Sequence, residues 1–152
     1  MTDSLLKTWE TSRKLYAEYF DKYSLEQLNK IPAGFNNNLV WNIGHIVVAQ
    51  QSLIYRLSNL EMNISEDLFN LYKSGSKPTQ FVGQVEADEL KSLLISLIEK
   101  TKEDYKAGKF VTFNERLTGT GFLLSTLNDA LDFNNYHEGM HLGVMMSIRK
   151  FV

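Results

Sequence analysis

The residues best suited to chemistry in this chain are its three histidines. His137 and His141 stand four residues apart in the segment His137-Glu138-Gly139-Met140-His141, and His45 lies much earlier in the chain. Positions i and i+4 share one face of an α-helix, so two imidazoles can reach a single ion. Imidazole is largely neutral near pH 7, which leaves a nitrogen lone pair available to a metal. The spacing therefore predicts a metal site.

The absence of cysteine restricts what that site can be. With no thiolates among the 152 residues, the ligands must be nitrogen or oxygen atoms, and disulfides are excluded. Three protein ligands with one open position are typical of a catalytic metal, whereas a structural zinc is normally closed by four. We therefore predict that His45, His137 and His141 bind one divalent metal and leave a position open.

The same segment also matches the H-E-x-x-H pattern of zinc metalloproteases, in which the glutamate is the general base. Those enzymes need a third ligand, usually downstream, but no His, Asp or Glu follows His141. Val144 and Ser147 occupy the last glycine and histidine positions of the extended motif. A protease is therefore disfavoured. Glu138 remains a candidate catalytic residue that moves a proton beside the metal, with a solvated or interhelical glutamate as the alternative.

Helical periodicity dominates the rest of the chain. Apolar residues recur at steps of three and four, which predicts four helices, over residues 3–29, 39–57, 87–105 and 125–150. In the last of these, Phe133, Val144 and Ile148 are in register with both histidines, so His137 and His141 are expected to face the core. The segment Phe110-Val111-Thr112-Phe113 is instead expected to be extended, as a short strand.

These elements predict an all-α protein with a single domain over residues 1–152. The short linker between the first two helices favours antiparallel neighbours. The long connection between the second and third helices can carry the chain back along the bundle. We therefore expect a four-helix bundle with one long crossover, and bundles of this kind build metal sites from side chains on facing helices.

Charge and hydropathy exclude several classes of partner. The formal net charge is −2 and the lysines are scattered among acidic residues, so no basic surface for nucleic acid is expected. No apolar run is long enough for a membrane span. The N-terminal residues lack the basic and apolar regions of a secretory signal. We expect an intracellular, cytoplasmic protein that contacts neither membrane nor nucleic acid.

In the order and spacing of its short motifs, the whole chain resembles the DinB-like (YfiT-like) superfamily. The residues concerned are Asn38-Leu39-Val40-Trp41-Asn42-Ile43-Gly44-His45-Ile46, Leu68-Phe69, Gly75-Ser76-Lys77-Pro78 and His137-Glu138-Gly139-Met140-His141-Leu142-Gly143. The resemblance implies an up-down-down-up four-helix bundle, often a homodimer. It also implies a triad of His45, His137 and His141 that binds zinc or nickel.

Characterised members of this superfamily include bacillithiol S-transferases and mycothiol-dependent maleylpyruvate isomerase. A thiol bound to a divalent metal is deprotonated, and thiolate is the nucleophilic form. The resemblance therefore implies a metal-dependent thiol S-transferase that acts on a small-molecule substrate with a low-molecular-weight thiol as cosubstrate. Glu138 or a tyrosine near the mouth would handle protons. A metal-dependent hydrolase and a non-catalytic, stress-associated metal-binding protein stay open as alternatives.

Overall fold

The computed structural model describes residues 1–152 and is built mainly of helices. The two strands are very short and pair as an antiparallel hairpin. The elements, in chain order, are α1 (Asp3–Lys22), α2 (Leu25–Asn29), α3 (Leu39–Ile54), α4 (Glu66–Tyr72), α5 (Gln84–Lys106), β1 (Arg116–Leu117), β2 (Leu123–Leu124) and α6 (Leu127–Ile148), with one turn of 3₁₀ helix at Arg56–Ser58.

Four long helices, α1, α3, α5 and α6, form an all-α bundle, as predicted. Both α1 and α3 pack against α5 and α6, while the short α2 and α4 pack against α3. The main partners of α1 are thus α5 and α6, and the connection from α1 to α3 contains α2, which itself packs against α3. The antiparallel pairing expected for the first two helices stays a prediction.

Local capping explains where the helices begin and end. Periodicity predicted one helix over residues 3–29, but α1 ends at Lys22 and α2 begins after Ser24. The Ser24 hydroxyl accepts from the main-chain NH of Gln27, and the Gln27 side chain accepts from the NH of Ser24. This capping box satisfies the first NH groups of a new helix. Asn38 and Thr126 cap α3 and α6 through their side-chain oxygens.

The two long connections contain structure that periodicity did not resolve. The crossover between α3 and α5 includes α4, so it is not simply a loop. The strand expected over residues 110–113 does not form. Instead, Arg116 pairs with Leu124 and Leu117 with Leu123, and Gly121 takes the left-handed conformation, with φ of +88°, in the turn between them.

Helix α3 is the central element of the core. Every residue from 38 to 48 is buried, including His45. A helix that is apolar on nearly every face is stable only when other elements surround it, and α2, α4, α5 and α6 all contact α3. None of the helices combines the length and the apolar character that crossing a membrane requires.

A buried ion pair fixes α6 against α1. The Glu138 carboxylate and the Arg13 guanidinium are both completely buried, with 2.8 Å between Glu138 Oε1 and Arg13 Nη2. Arg13 Nε lies 3.0 Å from both carboxylate oxygens. Trp9 Nε1 and Asn134 Nδ2 also donate to Oε1, at 2.9 and 2.8 Å. The Tyr16 hydroxyl donates to the main-chain carbonyl of Glu138. Such dense donation makes the burial of a carboxylate tolerable.

We predict that Glu138→Gln lowers the free energy of unfolding by about 3–5 kcal/mol, because the neutral amide leaves the Arg13 charge buried without a counter-ion. Urea unfolding of the metal-free protein, followed by circular dichroism, measures the change.

The matched control is Glu18→Gln. Glu18 pairs with Lys22 on the exposed face of α1, where water screens the charges. This substitution should leave the unfolding midpoint almost unchanged. Equal effects of the two substitutions would contradict a stabilising role for the buried pair.

Candidate metal centre

The three histidines converge, as the sequence predicted. His45 comes from α3, and His137 and His141 from α6, the helix that packs most extensively against it. One nitrogen from each ring lies within 4.8 Å of those of the other two. His45 Nε2 and His137 Nε2 are 3.3 Å apart. Three imidazole nitrogens this close together can bind a divalent metal.

Hydrogen bonds fix the tautomers of two of the rings. His45 Nδ1 lies 2.7 Å from the main-chain oxygen of Tyr72. A carbonyl oxygen can only accept, so Nδ1 carries the proton and Nε2 keeps a free lone pair. Tyr72 is the last residue of α4, where the carbonyl groups have no partner within the helix. The imidazole of His45 thus donates a hydrogen bond to a carbonyl group at the C-terminal end of α4.

His141 is held in a similar way by a side chain of α3. Its Nδ1 lies 2.8 Å from Asn42 Oδ1. The Asn42 amide nitrogen donates to Asn37 Oδ1 and to the carbonyl of Asn38, which settles the orientation of the amide. Oδ1 is therefore the acceptor and His141 Nδ1 the donor, which leaves Nε2 free. Metal-binding histidines generally show this pattern, with the second nitrogen donating to an oxygen.

His137 is anchored differently from the other two. Its Nδ1 is buried and has no hydrogen-bond partner in the protein. Its ring stacks on Phe133, one turn earlier in α6, at a centroid distance of 5.9 Å. Packing, not an outer hydrogen bond, orients this imidazole.

Burial keeps all three rings neutral. Desolvation is the main cause that lowers the pKa of His137 to about 4 and that of His141 to about 3, with repulsion from neighbouring imidazoles adding to it. Desolvation likewise lowers the pKa of His45, although the hydrogen bond to Tyr72 opposes it. Protons therefore compete little for these nitrogens near pH 7, which suits a metal ligand.

One aromatic stacking contact and one glycine define the α3 side of the site. The Trp41 indole stacks on the His45 ring at 4.9 Å, with an interplanar angle of 7°. Gly44 faces the Tyr72 ring so closely that a Cβ atom added there would overlap it. Gly44 thus allows α4 to approach α3 and brings the Tyr72 carbonyl within reach of His45.

A cavity of about 380 Å³ adjoins the histidine cluster, within the ~300–1,000 Å³ typical of small-molecule sites. His45 and His137 form part of its wall, together with Phe133. No fourth His, Asp or Glu joins the cluster. The protein therefore supplies three ligands and leaves space next to them for another molecule.

The Glu138 carboxylate does not lie in the cluster that the three histidines form. Its carboxylate faces α1 and is taken up by Arg13, Trp9 and Asn134. This is the interhelical alternative for Glu138, and the geometry gives no support to a catalytic role in proton transfer. The reason is rotation about α6: consecutive residues differ by about 100°, so the residue after His137 faces another helix.

Sequence reasoning missed the residues that orient the rings. Asn42 lies one turn before His45 on α3, and that spacing is a visible signal in Trp41-Asn42-Ile43-Gly44-His45. No sequence signal identifies the Tyr72 carbonyl, because main-chain atoms are the same at every position. The cavity wall formed by the hairpin was also unforeseen, since no hairpin was expected there.

We predict that Gly44→Ala weakens both the fold and the metal site. The added methyl group overlaps the Tyr72 ring, and overpacking of this kind costs about 1–3 kcal/mol in unfolding free energy. Displacing Tyr72 also removes the acceptor for His45 Nδ1, so we expect affinity for Zn²⁺ to fall by ~10-fold or more. Urea unfolding and zinc titration measure the two effects.

Gly143→Ala is the matched control. Gly143 lies on the exposed side of α6, and nothing is within 4 Å of a Cβ atom added there. An alanine in a helix interior should raise the unfolding free energy by roughly 0.5–1 kcal/mol and leave zinc affinity unchanged. A Gly44→Ala protein with wild-type zinc affinity would show that the Tyr72 contact does not orient His45.

Comparison with known protein families gives a match over most of the chain. No curated protein matches the chain significantly. The family model of the DinB superfamily, however, matches residues 8–145, a stretch that contains the long helices almost entirely and all three histidines. This protein belongs to the DinB superfamily.

Proposed function

We propose that this protein binds a divalent metal, zinc or nickel, through His45, His137 and His141 and acts as a metal-dependent thiol S-transferase. One observation carries the proposal: three neutral imidazoles converge beside a cavity, and no fourth protein ligand closes the cluster. A structural metal normally has four protein ligands, whereas three ligands and a free space are typical of a catalytic one.

The residues of the site have separate tasks. His45, His137 and His141 would hold the metal, and the outer bonds to Tyr72 and Asn42 would keep two of the rings in place. When bound, the metal would supply a positive charge that favours the thiolate form of a thiol. Trp41 and Phe133 cover ring faces and limit the access of water to the imidazoles.

In the transfer, a thiol sulfur forms a bond to an electrophilic carbon of the second substrate. The bond to the leaving group breaks, and the leaving group departs with the electron pair. The thiol proton passes to solvent. The cavity beside His45 and His137 provides room for both molecules, so the contribution of the protein is mainly to bring them together in the right orientation.

The proposal also covers assembly and location. A homodimer is supported by apolar side chains that are exposed in the hairpin and on α6, since a subunit contact would bury such groups. They include Leu117, Phe122, Leu123, Tyr136, Val144 and Met146. The substrate would be a small molecule. A cytoplasmic location stays a prediction from the sequence.

We predict that His141→Ala raises the dissociation constant for Zn²⁺ by at least ~100-fold, because one of three ligands is lost. Calorimetric titration of metal-free protein, prepared without an affinity tag, should give one site per chain in the wild type. Circular dichroism checks that the variant stays helical.

Leu142→Ala serves as the control for side-chain truncation at the next position of α6. It removes packing but no donor nitrogen, so zinc affinity should stay at the wild-type value. Unchanged metal binding in His141→Ala would contradict the assignment of the ligands.

We also predict metal-dependent transfer of a thiol to 1-chloro-2,4-dinitrobenzene. Bacillithiol, mycothiol and cysteine are tested separately, with the zinc or nickel form of the protein. The carbon–sulfur bond forms as chloride leaves, and absorbance of the aryl thioether follows the rate. Activity should require the metal and should be lost in His141→Ala.

The alternatives give different results in the same preparations. Hydrolysis of 4-nitrophenyl acetate without thiol transfer would favour the hydrolase, in which water takes the place of the thiol. Tight metal binding with neither reaction would favour a non-catalytic metal-binding protein. Either result would contradict the transferase.

A further inference from the structure

The charged side chains in the wall of the cavity next to the histidines are all cationic. Three cationic side chains line it, Arg56, Lys73 and Arg116, and no acidic side chain does. The chain as a whole has more acidic than basic residues, 18 against 16. A cavity lined only by positive charges in a slightly acidic protein is therefore a local feature, and it attracts anions.

Two of these charges have no counter-ion. Arg56 is paired with Glu66 at 2.9 Å and lies over the Phe69 ring. Lys73 Nζ donates to Asn70 Oδ1, a neutral group, and forms no ion pair. Arg116 makes no ion pair either, and its side chain is exposed at the start of the hairpin. The Lys73 and Arg116 charges remain available to a ligand.

The wall of the cavity is chemically mixed. It includes His45 and His137, the apolar side chains of Leu53, Phe69 and Phe133, and the hydroxyl groups of Ser74 and Thr118. A ligand pocket of this composition holds the hydrocarbon part of a molecule by apolar contact and orients it through a few polar groups. Arginine is especially suited to carboxylate and phosphate because its guanidinium can donate two parallel hydrogen bonds.

We propose that the thiol bound in this cavity is a small organic anion, whose carboxylate or phosphate group lies at Lys73 and Arg116 while its sulfur reaches the histidine cluster. The inference rests on the proposed function for the role of the sulfur, and on the cavity alone for the anionic group. It assigns Lys73 and Arg116, which belong to different segments of the chain, to one specificity-determining site.

The test compares three thiols of similar size and different charge. These are 3-mercaptopropionate, 2-mercaptoethanol and cysteamine, titrated into the cobalt-loaded protein, where thiolate binding to Co²⁺ gives a charge-transfer absorption. We expect the dissociation constant of 3-mercaptopropionate to be about tenfold lower than that of 2-mercaptoethanol at low ionic strength, with the difference shrinking as salt is added.

Variants distinguish anion binding in the cavity from an effect of the net charge of the protein. In Arg116→Gln and in Lys73→Gln, the dissociation constant of 3-mercaptopropionate should rise several-fold more than that of 2-mercaptoethanol, so the preference for the anionic thiol falls. Lys14→Gln, on the exposed face of α1, removes the same charge from the chain and should leave the preference as in the wild type. Each protein is described by the ratio of the dissociation constants of the two thiols. The difference in acidity between the thiols contributes equally to this ratio in every variant, so it cancels when variants are compared.

A second measurement needs neither metal nor sulfur. Propionate is titrated into the metal-free protein, and amide chemical shifts of Ser74 and Thr118–Thr120 are followed by nuclear magnetic resonance. Shifts at these residues that vanish in Arg116→Gln support the anion site. Equal binding of the three thiols, or propionate shifts elsewhere only, would overturn it. Propionate binding here with no thiolate absorption would instead contradict the proposed transferase and leave the anion site standing.

Discussion

The orientation of α6 depends on one buried ion pair. Arg13 reaches from α1 to Glu138, both side chains are completely buried, and rotating α6 away would leave both charges buried and unpaired. Since consecutive residues on a helix differ in direction by about 100°, directing Glu138 towards α1 turns His137 and His141 towards α3. The same interaction that joins two helices therefore sets the direction of two imidazoles. The glutamate of the H-E-x-x-H pattern has a structural task in this fold and not that of a protease base.

The surroundings of the histidines determine both the charge of the rings and the positions of their protons. Burial lowers the pKa of all three rings, to about 4 in His137 and about 3 in His141. His45 and His141 each donate one proton to a fixed oxygen. Neutral rings with defined tautomers present lone pairs in fixed directions. The buried helix α3 makes this possible, because it supplies His45 and Asn42 from adjacent turns and Gly44 between them.

Much of the helical fold and of the histidine cluster could be predicted from the sequence, for identifiable physical reasons. The i, i+4 spacing of His137 and His141, in register with apolar residues, was enough to place both on a core-facing helix, and the scarcity of histidine pointed to His45 as their partner. The break between α1 and α2 could not be predicted from periodicity, because the Ser24 capping box competes with helix continuation through local hydrogen bonds. Arg13 was not identified as the partner of Glu138, since the two residues are 125 positions apart and no local pattern connects them.

The bond between His45 and Tyr72 joins the cluster to the crossover through a single rigid unit. The Tyr72 carbonyl and the Lys73 amide nitrogen belong to the same peptide plane, which resists twisting. One side of that plane accepts from His45 Nδ1, and the other donates to the carbonyl of Phe69 at 2.9 Å. Lys73, whose side chain borders the cavity, begins at this plane. A movement of the end of α4 that shifts this peptide plane would therefore change both the hydrogen bond to His45 and the position of the Lys73 Cα atom. The histidine cluster and a cationic residue of the cavity wall are thus linked through the main chain.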